Sequence, residues 1–389
     1  MKKLKDGWES VRLGDIAITV TSGSRDWAQY YSDTGAKFIR MTNLNRNGIT
    51  LLLDDLKFVN IQSNSADGKR TSLQANDILI SITAELGKIG FIPENFGEAY
   101  INQHTALIRI DPNKAHAKFI AYVLSSATMN KTINSLNDAG AKAGLNLPTI
   151  KTLSLKLPSI EEQIQIAETL STWDNAIQTT EKLLENSRRQ KKVLMQKLLN
   201  GKDWKKVKLG SIADMSSGGT PKSNIAEYYN GDILWVSIAD MTTQGKYITR
   251  TEKTISKLGL ENSSAKLYPE NTILYAMYAS IGECSIATKP VTSSQAILGI
   301  RPKKELHFEY LYFYLSSLKD KMKLQGQQGT QSNLNSRMVK EFDILLPSFE
   351  EQQKIAEILS TADQEIETLQ RKLECLKLEK GALMQRLLA

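Results

Sequence analysis

The sequence has few of the residues on which disulfide-bonded, zinc-binding or membrane proteins depend. It contains two cysteines in 389 residues. Because Cys284 and Cys375 do not occupy matching positions in the two halves of the chain, we predict neither a structural disulfide nor a cysteine zinc site, and a reducing cytoplasm is the expected location. No apolar run approaches the roughly 18 residues that would span a bilayer, and the first residues lack the apolar segment of a signal peptide.

Motifs for catalysis and cofactor binding are also missing. No G-x-x-x-x-G-K-[ST] phosphate loop occurs, and no G-x-G-x-x-G follows a predicted strand. His116 and His307 fall at matching places in the two halves, each just before a predicted helix. That position favours a polar residue at a helix start over a catalytic group. We therefore expect a chain that catalyses no reaction and holds no metal or cofactor of its own.

The charge balance points weakly towards a polyanionic partner. The chain has 50 Lys and Arg against 42 Asp and Glu, which gives a net charge of +8. A basic protein favours nucleic acid, although many proteins that bind none are equally basic. The hydrophobic content of 41% is ordinary for a soluble globular protein, and the length predicts two or three domains.

A long internal repeat is the strongest signal in the sequence. The motif Leu-Pro-Ser-x-Glu-Glu-Gln at residues 157–163 returns at 346–352, and the match continues without a gap to Asn200 and Ala389 at a constant shift of 189 residues. About half of the paired positions are identical. The period is far longer than the roughly 20–50 residues of solenoid repeats, so it indicates a duplicated unit of domain plus helix.

Each repeat predicts a long helix that pairs with its counterpart. Ser159 and Ser348 are the expected N-caps, with Glu162 and Glu351 three residues further on, as in a capping box. Apolar residues then recur at alternating spacings of four and three, which predicts a coiled coil. About 40 residues would extend roughly 60 Å, longer than a typical domain is wide, so pairing is favoured over packing of each helix on its own domain. The predicted seam contains Ile166, Leu170, Trp173, Ile177, Leu184, Leu194, Leu198, Ile355, Leu359, Ile366, Leu373, Leu383 and Leu387, and it also includes the polar Thr180, Ser187, Lys191 and Lys380.

Connectivity predicts the direction of the pair. The first helix ends near Asn200, the second domain begins almost at once at Trp204, and the second helix begins where that domain ends, at Leu346. One domain therefore adjoins the end of one helix and the start of the other. This predicts an antiparallel coiled coil with a domain at each end and internal pseudo-twofold symmetry. The predicted parts are an N-terminal domain at 1–156, a helix at 157–201, a C-terminal domain at 202–345 and a helix at 346–389.

The two globular segments are related but have diverged. Trp8 and Trp204 open the same motif, Trp-x-x-Val-x-Leu-Gly-x-Ile-Ala, and Gln103 matches Gln295. Short β-rich runs alternate with clusters of Gly, Asn, Ser and Asp, which predicts an α+β fold with a strongly twisted, mostly antiparallel sheet in each domain. Strands are expected at 37–41, 77–82, 106–110, 233–237 and 272–276, and one helix per domain at 117–126 and 308–317.

Three polar loops recur at equivalent places in both domains. The first polar loop is 21–27 and 216–224, the second is 40–46 and 237–244, and the third is 139–146 and 328–337. Asn, Gln and Arg side chains can read base edges, while Lys and Ser position phosphates. Any surface loop carries such residues, so the recurrence of the set supports the prediction more than any single member. The candidate DNA-binding residues are Ser24, Arg25, Arg40, Asn43, Asn45, Arg46, Lys142, Asn146, Thr220, Lys222, Ser237, Asp240, Gln331, Asn333, Asn335 and Arg337.

These motifs together resemble the specificity (S) subunit of type I restriction–modification enzymes. Two variable domains each begin Trp-x-x-Val-x-Leu-Gly, and each is followed by Leu-Pro-Ser-x-x-Glu-Gln and a long helix that ends in Leu-Met-Gln-Lys/Arg-Leu-Leu. The resemblance covers essentially the whole chain and lies in the scaffold, so it identifies no base-contacting residue. It implies a DNA-binding subunit with two target recognition domains, each of which reads one half of a bipartite sequence.

The resemblance also implies partners. Two methyltransferase (M) subunits would methylate adenine with S-adenosylmethionine, and two ATP-dependent restriction (R) subunits would join for cleavage, so S-adenosylmethionine, ATP and magnesium are expected in the partners and no membrane is involved. Because the two domains differ, we expect an asymmetric target, with the helix pair setting the gap and docking the M subunits. Two alternatives remain at this stage: a coiled-coil scaffold with protein-binding end domains, and a stand-alone DNA-binding repressor.

Overall fold

The chain divides into two compact units in the computed structural model. Unit 1 comprises Met1–Lys182 with Arg371–Ala389, and unit 2 comprises Leu183–Gln370. The structure describes residues 7–61, 66–136, 144–328 and 334–388, without the side chains of 66, 67 and 320–328. Each unit thus contains the first half of one long helix and the second half of the other. The domain boundaries drawn from the sequence remain a prediction.

Unit 1 contains three small sheets whose pairing is mostly antiparallel. The strand orders are β1-β10, β2-β9-β6-β7 and β3-β5-β4-β8, and only the β4–β8 pair is parallel among them. The strands are β1 (Glu9–Arg12), β2 (Ala17–Ser22), β3 (Tyr31–Ser32), β4 (Ala36–Ile39), β5 (Lys57–Val59), β6 (Ile78–Ser81), β7 (Ile89–Phe91), β8 (Ala99–Ile101), β9 (Thr105–Ile110) and β10 (Ser154–Leu157).

The helix at Ala117–Ser125 packs on the β2-β9-β6-β7 sheet of unit 1. Phe119 and Ile120 pack with the sheet residues Ile78 and Ile108 in one buried cluster, which also takes in Leu170 of the first long helix. The helices are α1 (Leu13–Ile16), α2 (Ala66–Thr71), α3 (Ala117–Ser125), α4 (Ala127–Ser135), α5 (Leu147–Lys151) and the long helix α6 (Ile160–Leu198), and short 3-10 turns lie at Trp27–Tyr30 and Met41–Asn43.

Unit 2 repeats this plan. Its sheets have the orders β11-β20, β12-β19-β16-β17-β14 and β15-β13-β18, and the parallel β13–β18 pair corresponds to β4–β8 of unit 1. The strands are β11 (Lys205–Lys208), β12 (Ala213–Ser217), β13 (Tyr229–Val236), β14 (Tyr247–Ile248), β15 (Lys253–Ile255), β16 (Ile273–Ala276), β17 (Cys284–Ala287), β18 (Val291–Ser293), β19 (Ile297–Pro302) and β20 (Asp343–Leu346).

The helices of unit 2 complete the same arrangement. Tyr310 and Phe313 pack on the buried Ile273 and Ile300, and Leu359 of the second long helix joins their cluster. The helices are α7 (Leu209–Ile212), α8 (Ile238–Gln244), α9 (Lys257–Glu261), α10 (Phe308–Gln328), α11 (Ser336–Lys340) and the long helix α12 (Phe349–Leu387), with a 3-10 turn at Ala226–Tyr228. The α+β fold and the mostly antiparallel sheets are confirmed, and α10 is longer than the sequence predicts.

The two long helices, α6 and α12, have 39 residues each and pair in an antiparallel direction within each unit. In unit 1, Asp174 binds Lys380, and Glu181, further along α6, binds Lys377, which comes earlier on α12. The predicted seam residues are buried or half-buried along both helices. The helix starts are also as predicted, since the Ser159 hydroxyl accepts the Glu162 N–H at 3.3 Å. The Ser348 hydroxyl accepts the N–H three residues on at 3.2 Å.

A buried ion pair explains the lysines in the seam. Lys380 is 4% exposed, and its ammonium group contacts Asp174 and lies over the Tyr122 ring at 5.6 Å. The Tyr122 hydroxyl donates to the same carboxylate at 2.6 Å. Unit 2 repeats the pair between Lys191 and Asp363. A charge removed from water is tolerated only beside a partner that satisfies it, so these pairs fix which residues face each other across the seam.

The glutamine of the repeated motif joins each long helix to its own unit. Gln163 is 1% exposed, accepts the His116 N–H at 2.9 Å and donates to the Pro158 carbonyl at 2.9 Å. Gln352 is fully buried and accepts the His307 N–H at 2.8 Å. Each glutamine therefore ties the start of a long helix to the start of α3 or α10. Among the described residues, no helix is long and apolar enough to cross a membrane.

Candidate nucleic-acid interface

The first polar loop of unit 1 packs directly on the turn between β8 and β9, residues 102–104, which we name the central turn. The Gly23 N–H donates to the Thr105 carbonyl at 3.2 Å. A Cβ at Gly23 would lie 2.1 Å from the Asn102 carbonyl oxygen, a distance that no side chain tolerates. Glycine is therefore required for the loop to approach the turn.

Unit 2 has the same contact between different sequences. The Gly218 N–H donates to the Ile297 carbonyl at 3.0 Å. A Cβ at Gly218 would lie 2.3 Å from the Ser293 carbonyl oxygen. The turn between β18 and β19, residues 294–296, is thus the central turn of unit 2. The two first polar loops differ in sequence but are held in the same place.

The described end of the third polar loop, at Leu145 and Leu334, bonds to a further loop. This loop lies between β6 and β7 (residues 82–88) in unit 1 and between β16 and β17 (residues 277–283) in unit 2, and we name it the hairpin loop. In unit 1 the Ile82 N–H donates to the His104 carbonyl at 3.1 Å, and the Leu145 N–H donates to the Ile82 carbonyl at 2.9 Å. In unit 2 Met277 makes the corresponding bonds with Ala296 at 2.9 Å and with Leu334 at 3.0 Å. The first polar loop, the described end of the third polar loop, the hairpin loop and the central turn therefore meet in each unit.

The hairpin loop has an unusual backbone in both units. Ala84 has φ of +56° and Ala279 has φ of +58°, and the two alanines hold the same position in their loops. Residues other than glycine rarely adopt this left-handed region, and strain of this kind is found at functional sites. Both alanines keep it although the sequences around them have diverged, so the shape of this loop is common to the two units.

The second polar loop is more heavily used by the fold. Asn43 is 1% exposed, accepts the Arg40 N–H at 3.0 Å and donates to the Leu52 carbonyl at 2.8 Å. The Arg40 guanidinium binds the Asp55 carboxylate at 2.7 Å. Hydrogen bonds from Arg40 and then Lys57 lower the pKa of the Asp55 carboxyl, which keeps it anionic. Asn43 therefore shapes its own loop rather than presenting its amide to a ligand.

The counterpart in unit 2 is a helix cap. The Ser237 hydroxyl donates to the Asp240 carboxylate at 2.7 Å, and that carboxylate also accepts the Glu252 N–H at 2.9 Å. Asp240 is 8% exposed. Together they form the capping box of α8, which satisfies the free N–H groups at the helix start. Ser237 and Asp240 hence have clear roles within the fold.

The remaining candidates fall into four groups. Arg25, Arg46, Thr220, Lys222 and Arg337 are exposed. Asn146 and Asn335 are exposed N-caps of α5 and α11, and Ser24 and Asn45 are bound by the Arg70 guanidinium and the Asn47 N–H. Lys142, Gln331 and Asn333 lie outside the described residues. The DNA-binding role of all these candidate residues stays a prediction.

The structure adds residues at the convergence point that the candidate set omits. Thr83, Gln103 and His104 lie where the loops of unit 1 meet, and Tyr278 and Gln295 hold the corresponding places in unit 2. The match between Gln103 and Gln295 in an otherwise diverged stretch was the available signal. The others could not be found from sequence because the contacts join segments that are far apart in the chain.

Comparison with known proteins agrees with this architecture. The sequence profile of the type I restriction modification DNA specificity domain matches residues 5–186 and 201–378. The two matches cover most of the chain and coincide with its duplication. The chain therefore belongs to this family.

Individual relatives show how the similarity is distributed. The type I restriction enzyme MjaIX specificity subunit of Methanocaldococcus jannaschii is 36% identical over 179 residues, which span 45% of this chain and 41% of the relative. The putative MjaX specificity subunit of the same organism is 24% identical over 99% of this chain and 94% of its own length. The crystal structure of a type I restriction–modification S subunit from M. genitalium has 16% identity and a TM-score of 0.66 over 100% of this chain and 98% of that one, which shows a shared fold.

Proposed function

We propose that this chain is the sequence-specific DNA-binding subunit of a type I restriction–modification complex. The observation that carries the proposal is that one frame of backbone hydrogen bonds holds two sets of loops that differ in sequence. Glycine, central turn and hairpin loop correspond in the two units, while the side chains around them do not. Each unit would then read a different half-site, so the target is bipartite and asymmetric.

The chemistry of the complex would lie in the partners. We propose that two methyltransferase subunits and, in the full complex, two restriction subunits assemble with this chain, and that S-adenosylmethionine, ATP and magnesium belong to them. This chain would then be a non-catalytic component that acts on DNA in the cytoplasm. The family membership and the names of the relatives support DNA, methyltransferase and restriction partners as a class.

The long helices would set the gap between half-sites. Each helix runs without interruption from one unit into the other, and 39 residues extend about 58 Å at 1.5 Å per residue. Paired reading elements contact one face of a duplex when they lie one turn of DNA apart, about 34–36 Å. The helix is longer than this, so it is long enough to hold two reading elements at that spacing. The helix pair would also dock the methyltransferase subunits.

Long-read detection of methylated adenine tests the proposal. The genome of the source organism is compared with that of a strain in which the gene for this chain is deleted. We expect one asymmetric bipartite motif to be methylated in the first and unmethylated in the second, and a methyltransferase to co-purify with the tagged chain.

The same measurements separate the alternative functions. A stand-alone repressor would bind a specific sequence without a methyltransferase, and its deletion would leave methylation unchanged. A protein-binding scaffold would bind DNA weakly and without regard to sequence. Either result would overturn the proposal.

A further inference from the structure

A chain of hydrogen bonds ends at an amide group where the loops of unit 1 meet. The Thr83 hydroxyl contacts Nδ1 of His104 at 2.8 Å, and Nε2 of His104 contacts Nε2 of Gln103 at 3.0 Å. Thr83 belongs to the hairpin loop, and the other two residues belong to the central turn. All three side chains are half-buried. The network therefore joins two of the segments that form the convergence point.

The donors and acceptors of this network assign the histidine tautomer. The Gln103 amide nitrogen can only donate, so Nε2 of His104 accepts and is unprotonated. Nδ1 then carries the proton and donates to the Thr83 hydroxyl oxygen. Thr83 thus fixes the orientation of the imidazole, and the imidazole fixes the orientation of the Gln103 amide. The hydrogen bond of one ring nitrogen sets whether the second nitrogen donates or accepts.

The remaining polar groups of Gln103 are left for a ligand. Among the described residues, the Gln103 amide makes one hydrogen bond, to His104. Its second N–H and its carbonyl oxygen are therefore available. A glutamine amide offers one donor and one acceptor in a plane, which matches N7 and the N6 amino group of adenine in the major groove. An amide that is already oriented loses less side-chain freedom on binding.

We propose that Gln103 is a base-reading residue of the first half-site and that His104 and Thr83 are positioning residues that hold its amide. The inference deepens the proposed function and rests on it. The hairpin loop, which contains the strained Ala84, contacts the central turn beside this network through the Ile82–His104 backbone bond. None of the three residues is among the candidates predicted from the sequence. The assigned ligand is a base edge with adjacent acceptor and donor groups, as in adenine.

Unit 2 provides an internal comparison. Gln295 occupies the position of Gln103, but Ala296 replaces the histidine and Tyr278 replaces the threonine. Alanine has no ring nitrogen to orient a neighbouring amide, so the network of unit 1 has no equivalent made from these positions. The two units therefore present different groups at corresponding places, in keeping with two different half-sites.

The methylated motif of variants tests the inference. The full chain is expressed with its methyltransferase in a host that lacks both, and methylated adenines are mapped by long-read sequencing. Gln103→Ala is expected to relax one position of one half-site, with discrimination at that base falling roughly 5- to 100-fold. The other half-site and the gap remain unchanged. Thr83→Val, which removes the hydroxyl, weakens discrimination at the same position, and Thr83→Ser restores it.

Gln295→Ala is the matched control, because it removes the same side chain from the other unit. Any change that it causes falls in the second half-site. If Gln103→Ala leaves the motif as in the parent chain, or lowers methylation evenly at all sites, the inference is wrong while the proposed function stands. If the parent chain itself directs no sequence-specific methylation, the proposed function fails first.

Discussion

Two histidines at corresponding positions precede α3 and α10, and His116 caps its helix. His116 is half-buried, and its ring accepts the Phe119 N–H at 3.4 Å at the start of α3. His307 directly precedes α10, but its Nδ1 is buried without a hydrogen-bond partner among the described residues. Burial lowers the pKa of both imidazoles, more than the neighbouring Glu168 and Glu309 raise it. Each ring is thus held neutral in the folded chain.

This burial predicts a loss of stability in mild acid. The folded pKa lies below the ordinary value of about 6.5, so the unfolded chain takes up protons more readily as the pH falls below that value. Stability present at neutral pH is therefore lost progressively as the pH falls towards the folded pKa. The variant His116→Asn keeps an N-cap acceptor but cannot titrate. We expect its melting temperature to fall less than that of the parent between pH 7 and pH 5.

The variant His307→Asn should behave in the same way in unit 2. A surface histidine would give no such difference, so equal pH dependence in parent and variants would contradict the assignment of burial as the cause. Thermal unfolding followed by circular dichroism at each pH provides the measurement.

The polar loop residues show what sequence can and cannot establish at this scale. Asn and Asp in a loop are equally suited to a base and to the loop's own backbone. Asn43 and Asp240 instead bond to backbone groups of Leu52 and Glu252. These partners are nine and twelve positions away, so the bonds could not be predicted from the loop sequence. By contrast, Asn146 and Asn335 directly precede short helices, so their capping role could be predicted locally.

At the scale of elements, the seam between the long helices depends on a buried charge pair. In unit 1 the Lys380 side chain is 5% exposed and that of Asp174 is 17% exposed. In unit 2 the Lys191 side chain is more exposed, at 22%, and Phe313 stands where unit 1 has Tyr122. One oxygen of Asp363 is consequently buried without a hydrogen-bond partner among the described residues. The pair in unit 1 is thus the more completely satisfied of the two.

Breaking the pair in unit 1 should be costly. We expect Lys380→Met to destabilise the chain by about 3–5 kcal/mol, because it leaves Asp174 buried without its cation. The matched control is Lys377→Met on the same helix. The Lys377–Glu181 pair is about half exposed, at 53% and 46%, and should contribute less than about 1 kcal/mol. Urea unfolding compares the two variants.

A second substitution separates charge burial from packing. Asp174→Asn in the Lys380→Met background removes the uncompensated charge and keeps an acceptor for the Tyr122 hydroxyl, so most of the lost stability should return. Equal effects of Lys380→Met and Lys377→Met would show that burial of the pair does not matter.

The helices themselves could be predicted almost completely. The heptad spacing, the N-cap serines and the repeat determine their starts and their seam. The observed helices begin at Ile160 and Phe349, the fourth residue of each motif. The partners of the seam lysines could not be found in this way. Asp174 and Asp363 lie outside the apolar pattern, and only the folded pair shows that they face Lys380 and Lys191.

At the scale of the whole molecule, helix length should control the spacing of the target. An insertion of seven residues in each long helix, after Lys182 and after Gln370, preserves the heptad seam. It adds about 10 Å, or roughly three base pairs of DNA at 3.4 Å each. We expect the methylated motif to keep both half-sites and to gain about three unread base pairs. Long-read sequencing provides the measurement.

The control places the same insertion in α6 alone. The two helices then differ in length. We expect lower stability, and no new defined gap between the half-sites. A motif whose gap stays constant after the double insertion would show that the helices do not set the spacing.

The glutamines of the repeated motif have a consequence for comparing members of the family. The hydrogen bonds of Gln163 and Gln352 join the start of each long helix to its own unit. Selection at such positions preserves folding of the chain and does not depend on the DNA sequence that the loops read. Sequence identity measured over these segments is identity of the scaffold. Identity over the repeated helices therefore reports a shared scaffold and leaves the sequence read by the loops undetermined.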